Sequence, residues 1–280
     1  MRIAYYIAAH HKPYQLSWLL SAIADDDDVF FIHIDKKTDG DTHRTIHSVS
    51  QRLCADPIML QRRSVSWGGW SQVSTEISAI KEALKSDTEW QYLINLSGQD
   101  YPIKSKIHIK NELERAWPRS FIRVWPFEKV REIDGEADPH LRRLATIEIF
   151  GKSRRLPFKL PATRLDVNYK GSQWHILSRP FCEWIAIDSN IARLKRYLRF
   201  SWVPDETFFQ AAIMNSPFRD ERMGDAARYF EFPGPKTLKS DSLPALQASD
   251  ALFARKFDAE VDTTILRAIA DRCGYEVPPR

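Results

Sequence analysis

Residues 29–35 read VFFIHID: five apolar side chains and a histidine, closed by an aspartate. A short run rich in β-branched and aromatic residues reads as a buried strand. Upstream, RIAYYIAA (2–9) has the same character, and YQLSWLLSAIA (14–24) between them has a helical pattern. The DDDD that precedes the second strand (25–28) reads as a solvated turn. Downstream the alternation continues with a helix over roughly 42–54, a short strand PIML (57–60), a helix after WGGW and a strand WQYLINL (90–96). Strand–helix alternation of this kind predicts an α/β fold with a central, mostly parallel, doubly wound sheet flanked by helices. Ligands on such sheets bind beyond the carboxyl ends of the strands. That rule singles out Asp35, the SVSWGGW stretch (64–70) and SGQDYP (97–102).

The chain has 280 residues, 43% apolar and 28% charged, which is ordinary for a folded domain. Its 41 basic and 37 acidic residues leave a net charge of +4, too weak by itself to argue for nucleic acid. Nine tryptophans suit a protein that stacks flat faces, although cores use tryptophan too. Cys54, Cys182 and Cys273 are far apart and odd in number, so neither a disulfide framework nor a cysteine zinc site is expected. No leader peptide and no apolar window of spanning length is read. These features predict a cytoplasmic protein, at most peripheral at the inner face of a membrane.

The stretch from His140 to Lys170 differs in character. It carries Arg142, Arg143, Lys152, Arg154, Arg155, Lys159, Arg164 and Lys170 against only Glu148 and Asp166. It reads as an irregular basic excursion, either a solvated face or a contact with anionic lipid. After it come a strand QWHILS (173–178), two helical stretches, a helix beginning near Asp205, a strand RYFEF (228–232), ALFARKFD (251–258) and a final helix. No linker or repeat is visible, so one domain over 1–280 is expected.

Several constellations could carry chemistry. VPDETFFQAAI (203–213) sets Asp205 and Glu206 between a proline and an apolar helical run. Asp205 is a good N-cap and Glu206 suits a first turn. Alternatively, an aromatic surround from Trp202, Phe208 and Phe209 would desolvate Glu206, raise its pKa and make it a general base. Asp35 is placed either to accept hydrogen bonds from a base or ribose or to cap a turn. The adjacent glycines of SWGGWS would let backbone approach a ligand or simply form a tight turn. Asp39 and Asp41 formally make a D-x-D pair for a divalent ion, but Gly40 between them points to a solvated turn. Without a metal, a departing diphosphate must be met by Lys or Arg. Arg255 and Lys256 in ARKFD, with Lys236 and Lys239 upstream, offer such charge.

AHHKP (9–13), FFIHIDKK (30–37), SVSWGGWS (64–71), YLINLSGQDYPIKS (92–105), GSQWHILSR (171–179), VPDETFFQ (203–210) and LFARKFD (252–258) stand in one order across nearly the whole chain. In these stretches the chain resembles glycosyltransferase family 14, the core 2/I-branching β-1,6-N-acetylglucosaminyltransferases and protein O-xylosyltransferases. The likeness is closer to the xylosyltransferase and bacterial branch. The resemblance implies a GT-A-type, Rossmann-like fold and inverting, metal-independent transfer from a UDP-sugar of the UDP-GlcNAc or UDP-xylose type. It places Glu206 as catalytic base, with Asp205 left to cap. It puts Asp35, Val65, Ser66 and Trp67 at the nucleotide, and Arg255, Lys256 and Lys236 at the diphosphate. It puts Ser172, Gln173 and Trp174 at the donor sugar or acceptor, with Asp100 where a strand meets the donor. Gln173 stands where xylosyltransferases have an aspartate, and the donor sugar stays open. No cofactor is implied, and the partners are a UDP-sugar and a glycan or lipid-linked acceptor, not nucleic acid, in the service of cell-surface polysaccharide synthesis. Two alternatives differ in class: a non-catalytic carbohydrate- or nucleic-acid-binding module, and a metal-dependent transferase using Asp39 and Asp41.

Overall fold

The computed structural model of the chain describes residues 1–135, 143–149, 152–156, 164–231 and 236–279. They gather into two units, Met1–Arg62 with Asp87–Trp117 and Ala227–Arg280, and Arg63–Ser86 with Pro118–Ala226.

The first unit is built around the stretch 29–35. Strands β1 (Ile3–Ala9) and β2 (Val29–Ile34) pair in parallel from Ala4↔Val29 to Ala9↔Ile34. Helix α1 (Pro13–Ile23) joins them and α2 (Gly40–Leu53) follows β2. The two-residue β3 (Ile58–Met59) pairs parallel to β2. Strand β4 (Tyr92–Ser97) pairs parallel to the other edge of β1, from Ile3↔Tyr92 to Ala8↔Ser97, so the order is β4-β1-β2-β3. The succession reverses at β1. The crevice beyond the carboxyl ends of β1 and β4 is therefore a topological switch point, where ligands of open α/β sheets bind. The continuous apolar character of β1, β2 and β4 is what a buried parallel sheet requires.

One expectation is corrected here. DDDD is not simply a solvated turn: Asp28 is buried and accepts a 2.9 Å hydrogen bond from the Ile3 N–H. Lys110 Nζ lies 3.4 Å from Asp28 and 3.2 Å from Asp25. Burial outweighs these partners and pushes the Asp28 carboxyl up to about 6. Asp39 of the D-x-D pair caps α2, accepting from the backbone N–H groups of Asp41 and Thr42, and Asp41 pairs with Arg44.

The second unit holds helix α3 (Trp70–Lys85), which follows the WGGW turn. Next come β5 (Asp100–Pro102), which belongs to the first unit, and then β6 (Ser120–Phe121) and β7 (Trp125–Pro126) of the second. Strands β8 (Thr146–Ile149) and β9 (Lys152–Arg155) form an antiparallel hairpin inside the basic stretch. Strand β10 (Tyr169–Lys170) pairs antiparallel to β7. Strands β11 (Ile176–Ser178) and β12 (Arg222–Met223) flank β6, antiparallel and parallel respectively. Helices Arg179–Ile187 and Ser189–Leu198 bury Phe181, Ile185, Ile191, Leu194 and Leu198. His140, Arg142 and Lys159 of the basic stretch lie outside the described residues.

The chain then returns to the first unit with β13 (Arg228–Tyr229) and β14 (Phe253–Arg255), which order as β13-β14-β5. The expected strand RYFEF is thus only two residues long, and Phe232 lies outside the described residues. Behind these strands Tyr101 meets Trp18, Phe257 and Tyr275 edge-on, with centroids 5.8 to 6.4 Å apart. Each such contact adds about 0.5–1.5 kcal/mol beyond the area it buries.

Candidate active site

In the second unit, Val203 takes a left-handed conformation (φ 52°) and starts a single 3-10 turn, Pro204–Glu206, ahead of helix Phe208–Met214. Two neighbouring segments hold this turn. Val203 N–H donates to the Gly68 carbonyl at 2.7 Å, and Gly171 N–H donates to the Glu206 carbonyl at 2.9 Å. The first ties the WGGW turn to the carboxylate-bearing turn, and the second ties in the GSQW element. Glycine is obligatory at 171, because a Cβ there would stand 1.8 Å from the Arg123 carbonyl oxygen. Gly68 has φ +69°, which favours glycine, and packs against Trp202. Ser172 Oγ accepts from Trp174 N–H, and its carbonyl accepts from Gln210 Nε2 at 2.8 Å. Glu206, Ser66, Trp67, Ser172, Gln173 and Trp174 are thus brought into one neighbourhood, with Val65 on the segment leading into the WGGW turn. Trp67 is 74% exposed, with its ring edge-on to Trp202 at 6.0 Å.

The side chain of Glu206 is 32% exposed, and its Oε2 accepts a hydrogen bond from Arg143 Nη2. Lys170 Nζ lies 3.9 Å from the same oxygen. The expectation of an aromatic surround left out the two cations that face this carboxylate. A neighbouring cation stabilises and aims an anionic carboxylate, where a purely apolar pocket would favour its neutral form. The basic excursion is corrected as well, since Arg143 and Lys170 are buried beside Glu206 rather than solvated. Lys152, Arg154, Arg155 and Arg164 are exposed.

Asp205 does not cap. Neither the 3-10 turn nor the following helix has a side-chain cap bond. The carboxyl is buried, and its Oδ1 has no hydrogen-bond partner. Burial pushes it up to about 7, helped by the neighbouring charges of Glu206 and Glu76 and opposed by Arg143. Two adjacent carboxyls thus sit in different environments, one buried with its pKa raised, one ion-paired and partly exposed. Deeper in the same unit His175 Nε2 contacts Glu76 Oε1 at 2.6 Å, with both residues buried.

In the first unit, Asp35 follows β2, Asp100 begins β5, and Arg255 and Lys256 stand at the end of β14, with Lys236 upstream. Asp35 directly follows β2: its N–H donates to the Ala9 carbonyl, and its Oδ1 accepts from Lys37 N–H at 2.8 Å. His10 and His11 stack after β1 with centroids 3.9 Å apart. Burial, then the charges of His10, Lys12 and Lys256, pulls His11 down to about 4, so it is neutral at physiological pH. Burial also lowers His10, against the pull of Asp35. The two histidines belong with Asp35 and Lys256. Sequence reading quoted them without giving them a role, although adjacent histidines at a strand end were the available signal. Lys256 N–H donates to the Lys236 carbonyl at 3.3 Å, and Leu238 N–H to the Lys256 carbonyl at 2.9 Å, so Lys236 runs alongside Lys256.

Asp100 is fully buried and bonded to protein groups. Its Oδ1 accepts from Arg228 Nη1 at 3.0 Å, its Oδ2 from Ser97 N–H and Oγ at 2.7 and 2.6 Å, and Arg255 Nη1 lies 3.6 Å from Oδ2. Arg228 also donates to the Asn95 carbonyl at 2.9 Å and lies over the Phe253 ring. Two guanidiniums share one carboxylate, so the cluster keeps a net positive charge on the side of Arg255. Sequence reading missed Arg228, because an arginine next to an aromatic run carries no pattern of its own.

The Core-2/I-Branching enzyme family model matches residues 3–243. The chain belongs to that family. It is 26% identical over 298 residues to xylosyltransferase 1 of Homo sapiens, covering 95% of this chain and 30% of that protein. It is 25% identical over 311 residues to xylosyltransferase 2 of Rattus norvegicus, covering 100% of this chain and 34% of that protein. The chain therefore spans about a third of the length of the curated relatives it matches. Among solved structures, the apo form of mouse xyloside xylosyltransferase 1 superposes with a TM-score of 0.45 at 12% identity, covering 91% of this chain and 97% of that one. Among the described residues no helix is long and apolar enough to cross a membrane.

Proposed function

We propose that the chain transfers a sugar, with inversion, from a UDP-sugar to a hydroxyl of a glycan or glycolipid acceptor, without a metal ion. The observation that carries this reading is Glu206: a carboxylate one-third exposed and paired with a buried arginine, on the turn where the sequence resemblance puts the catalytic base. A general base must be aimed and reachable, and the Arg143 contact serves the first. Glu206 removes the proton of the acceptor hydroxyl as that oxygen attacks the anomeric carbon. UDP departs from the opposite face of the sugar, and the configuration inverts. Arg255 and Lys256, with Lys236 alongside, meet the charge that grows on the diphosphate as the glycosidic bond breaks. Asp100 and Arg228 act one layer behind, holding Arg255. Asp35 accepts hydrogen bonds from the nucleoside. The UDP-GlcNAc and UDP-xylose types are both open as donors, and cell-surface polysaccharide synthesis is the setting that suits either.

An anionic membrane surface is the partner proposed for the exposed basic residues. Arg193, Arg196 and Arg199 recur every third position, opposite the buried Ile191, Leu194 and Leu198, and Phe200 beside them is 46% exposed. Ser201 bridges to Ile147, whose pairing partner is Arg154. Two strand spacings, about 10 Å, thus separate this helix end from the exposed Arg154 and Arg155. Such a patch suits a protein that sits peripherally on the cytoplasmic membrane face and works on a lipid-linked acceptor.

The deciding experiment is a hydrolysis and transfer screen with UDP-Xyl, UDP-GlcNAc, UDP-Gal and UDP-Glc, followed by acceptor trials. Turnover of one donor with inversion supports the reading. Failure to bind UDP or to turn over any donor would sink it and favour a binding module.

A further inference from the structure

Arg62 lies three residues beyond β3. Strand β3 runs beside β2 in the register Phe31↔Ile58 and Ile32↔Met59, and Leu60 N–H continues the pairing to the Ile32 carbonyl at 2.9 Å. This brings Arg62 against the loop that leaves the end of β2. There a single nitrogen, Nη2, donates to three backbone carbonyls: Asp35 at 2.9 Å, Lys36 at 3.1 Å and Thr38 at 3.0 Å. Three carbonyl dipoles converging on one point repel one another, and a permanent cation at that point turns the repulsion into attraction. Arg62 Nε is buried without a hydrogen-bond partner, so the guanidinium is held here at the expense of one of its own donors. Other bonds shape the loop: Thr38 N–H to the Asp35 carbonyl at 3.0 Å, Thr38 Oγ1 to the His10 carbonyl at 3.1 Å, and Lys37 N–H to Asp35 Oδ1. The last of these makes the direction of the Asp35 carboxylate depend on the backbone at 37, inside the clamped segment.

We propose that Arg62 is a positioning residue of the nucleotide site: it gathers the carbonyls of Asp35, Lys36 and Thr38 and thereby sets the Asp35 carboxylate for the nucleoside half of the donor. This rests on Asp35 being the nucleoside ligand. An arginine confined to a stabilising role would alter melting without altering recognition of the base and ribose. A positioning arginine alters uridine binding, and does so through Asp35.

The experiment is a double-mutant cycle on the full chain, reading uridine and UDP affinities by calorimetry for wild type, Arg62→Ala, Asp35→Ala and the double variant. Arg62→Ala is expected to weaken uridine and UDP by the same factor, on the order of tenfold. On the Asp35→Ala background the same change is expected to cost less than about twofold, because its effect acts through the residue already removed. Arg62→Gln, which keeps a donor for one or two of the carbonyls, is expected to lie between and guards against a folding defect in the alanine variant. Loss of uridine affinity in Asp35→Ala without loss in either Arg62 variant overturns the clamp alone. An equal loss on both backgrounds overturns it too, as does a lowered Tm with unchanged affinity. Unchanged uridine binding in Asp35→Ala overturns the reading of Asp35 and the clamp with it.

Discussion

Arg143 donates from Nη2 to Oε2 of Glu206, a residue 63 positions further along the chain, and is itself only 2% exposed. The carboxylate thus has one face set by a buried cation and the other open to solvent. Replacing Arg143 with Gln removes the charge and leaves a neutral donor. Breaking a buried pair costs about 3–5 kcal/mol, and Glu206 is partly hydrated, so a loss of about 1–3 kcal/mol in urea unfolding is expected. Transfer is expected to fall with kcat more than with KM for the donor, and Arg143→Lys to recover part of it. Unaltered kcat in Arg143→Gln would remove the residue from the machinery.

Glu206→Gln keeps shape and removes basicity. Transfer is expected to drop about 10²–10⁴-fold, the range for loss of a general base, with UDP affinity close to wild type. A variant retaining more than about half of the activity would rule Glu206 out as base.

Asp205→Asn tests the raised pKa of the buried carboxyl through the pH dependence of stability. The folded pKa of about 7 lies above the unfolded value of 3.8. Between them the native state holds a proton that the unfolded state has released. Stability from this group is therefore full below about pH 4 and is lost progressively as pH rises towards 7. Asparagine cannot ionise, so Asp205→Asn is expected to raise Tm relative to wild type at pH 8 by more than at pH 4. A difference between the two proteins that does not change with pH would contradict a raised pKa at Asp205.

Lys256→Ala is expected to weaken UDP by on the order of 1.5–3 kcal/mol, the worth of a charged hydrogen bond, while uridine affinity hardly changes. Turnover is expected to persist in excess EDTA, because fixed Arg and Lys charges do the work an ion would do. Loss of turnover in EDTA with recovery on adding manganese would overturn the cationic mechanism, and Asp39 and Asp41 would become the first residues to mutate.

The basic surface yields its own test. Wild type is expected to float with vesicles containing anionic lipid, not with neutral ones, and added salt is expected to weaken the binding. Reversing Arg154, Arg155, Arg196 and Arg199 to Glu is expected to abolish flotation while leaving Tm nearly unchanged, since all four are exposed. Wild-type protein that stays unbound with anionic vesicles refutes the membrane assignment.

The parallel sheet was legible in the sequence because its strands are buried on both faces. VFFIHID, RIAYYIAA and WQYLINL are apolar nearly throughout, and such runs have few other ways to fold between amphipathic helices. Glu206, Arg255 and Lys256 become candidates only through the order of short motifs, not through the chemistry of any one of them. The environments of charged side chains were not legible, because they depend on residues distant in the chain. The sequence places Arg143 in a basic run that reads as a solvated face or a lipid contact, yet folding buries it on Glu206. It places Asp100 at a strand end, yet Arg228, 128 residues later, encloses it. It offers Asp205 as a cap, yet a left-handed Val203 and a 3-10 turn carry its carboxyl inward. Local patterning decides which segments are strands and helices, because burial of a periodic face is a property of the segment. Whether a carboxylate is exposed, neutral or ion-paired is decided by the tertiary structure, because the cost of burying charge depends on which groups the fold brings within a few ångströms.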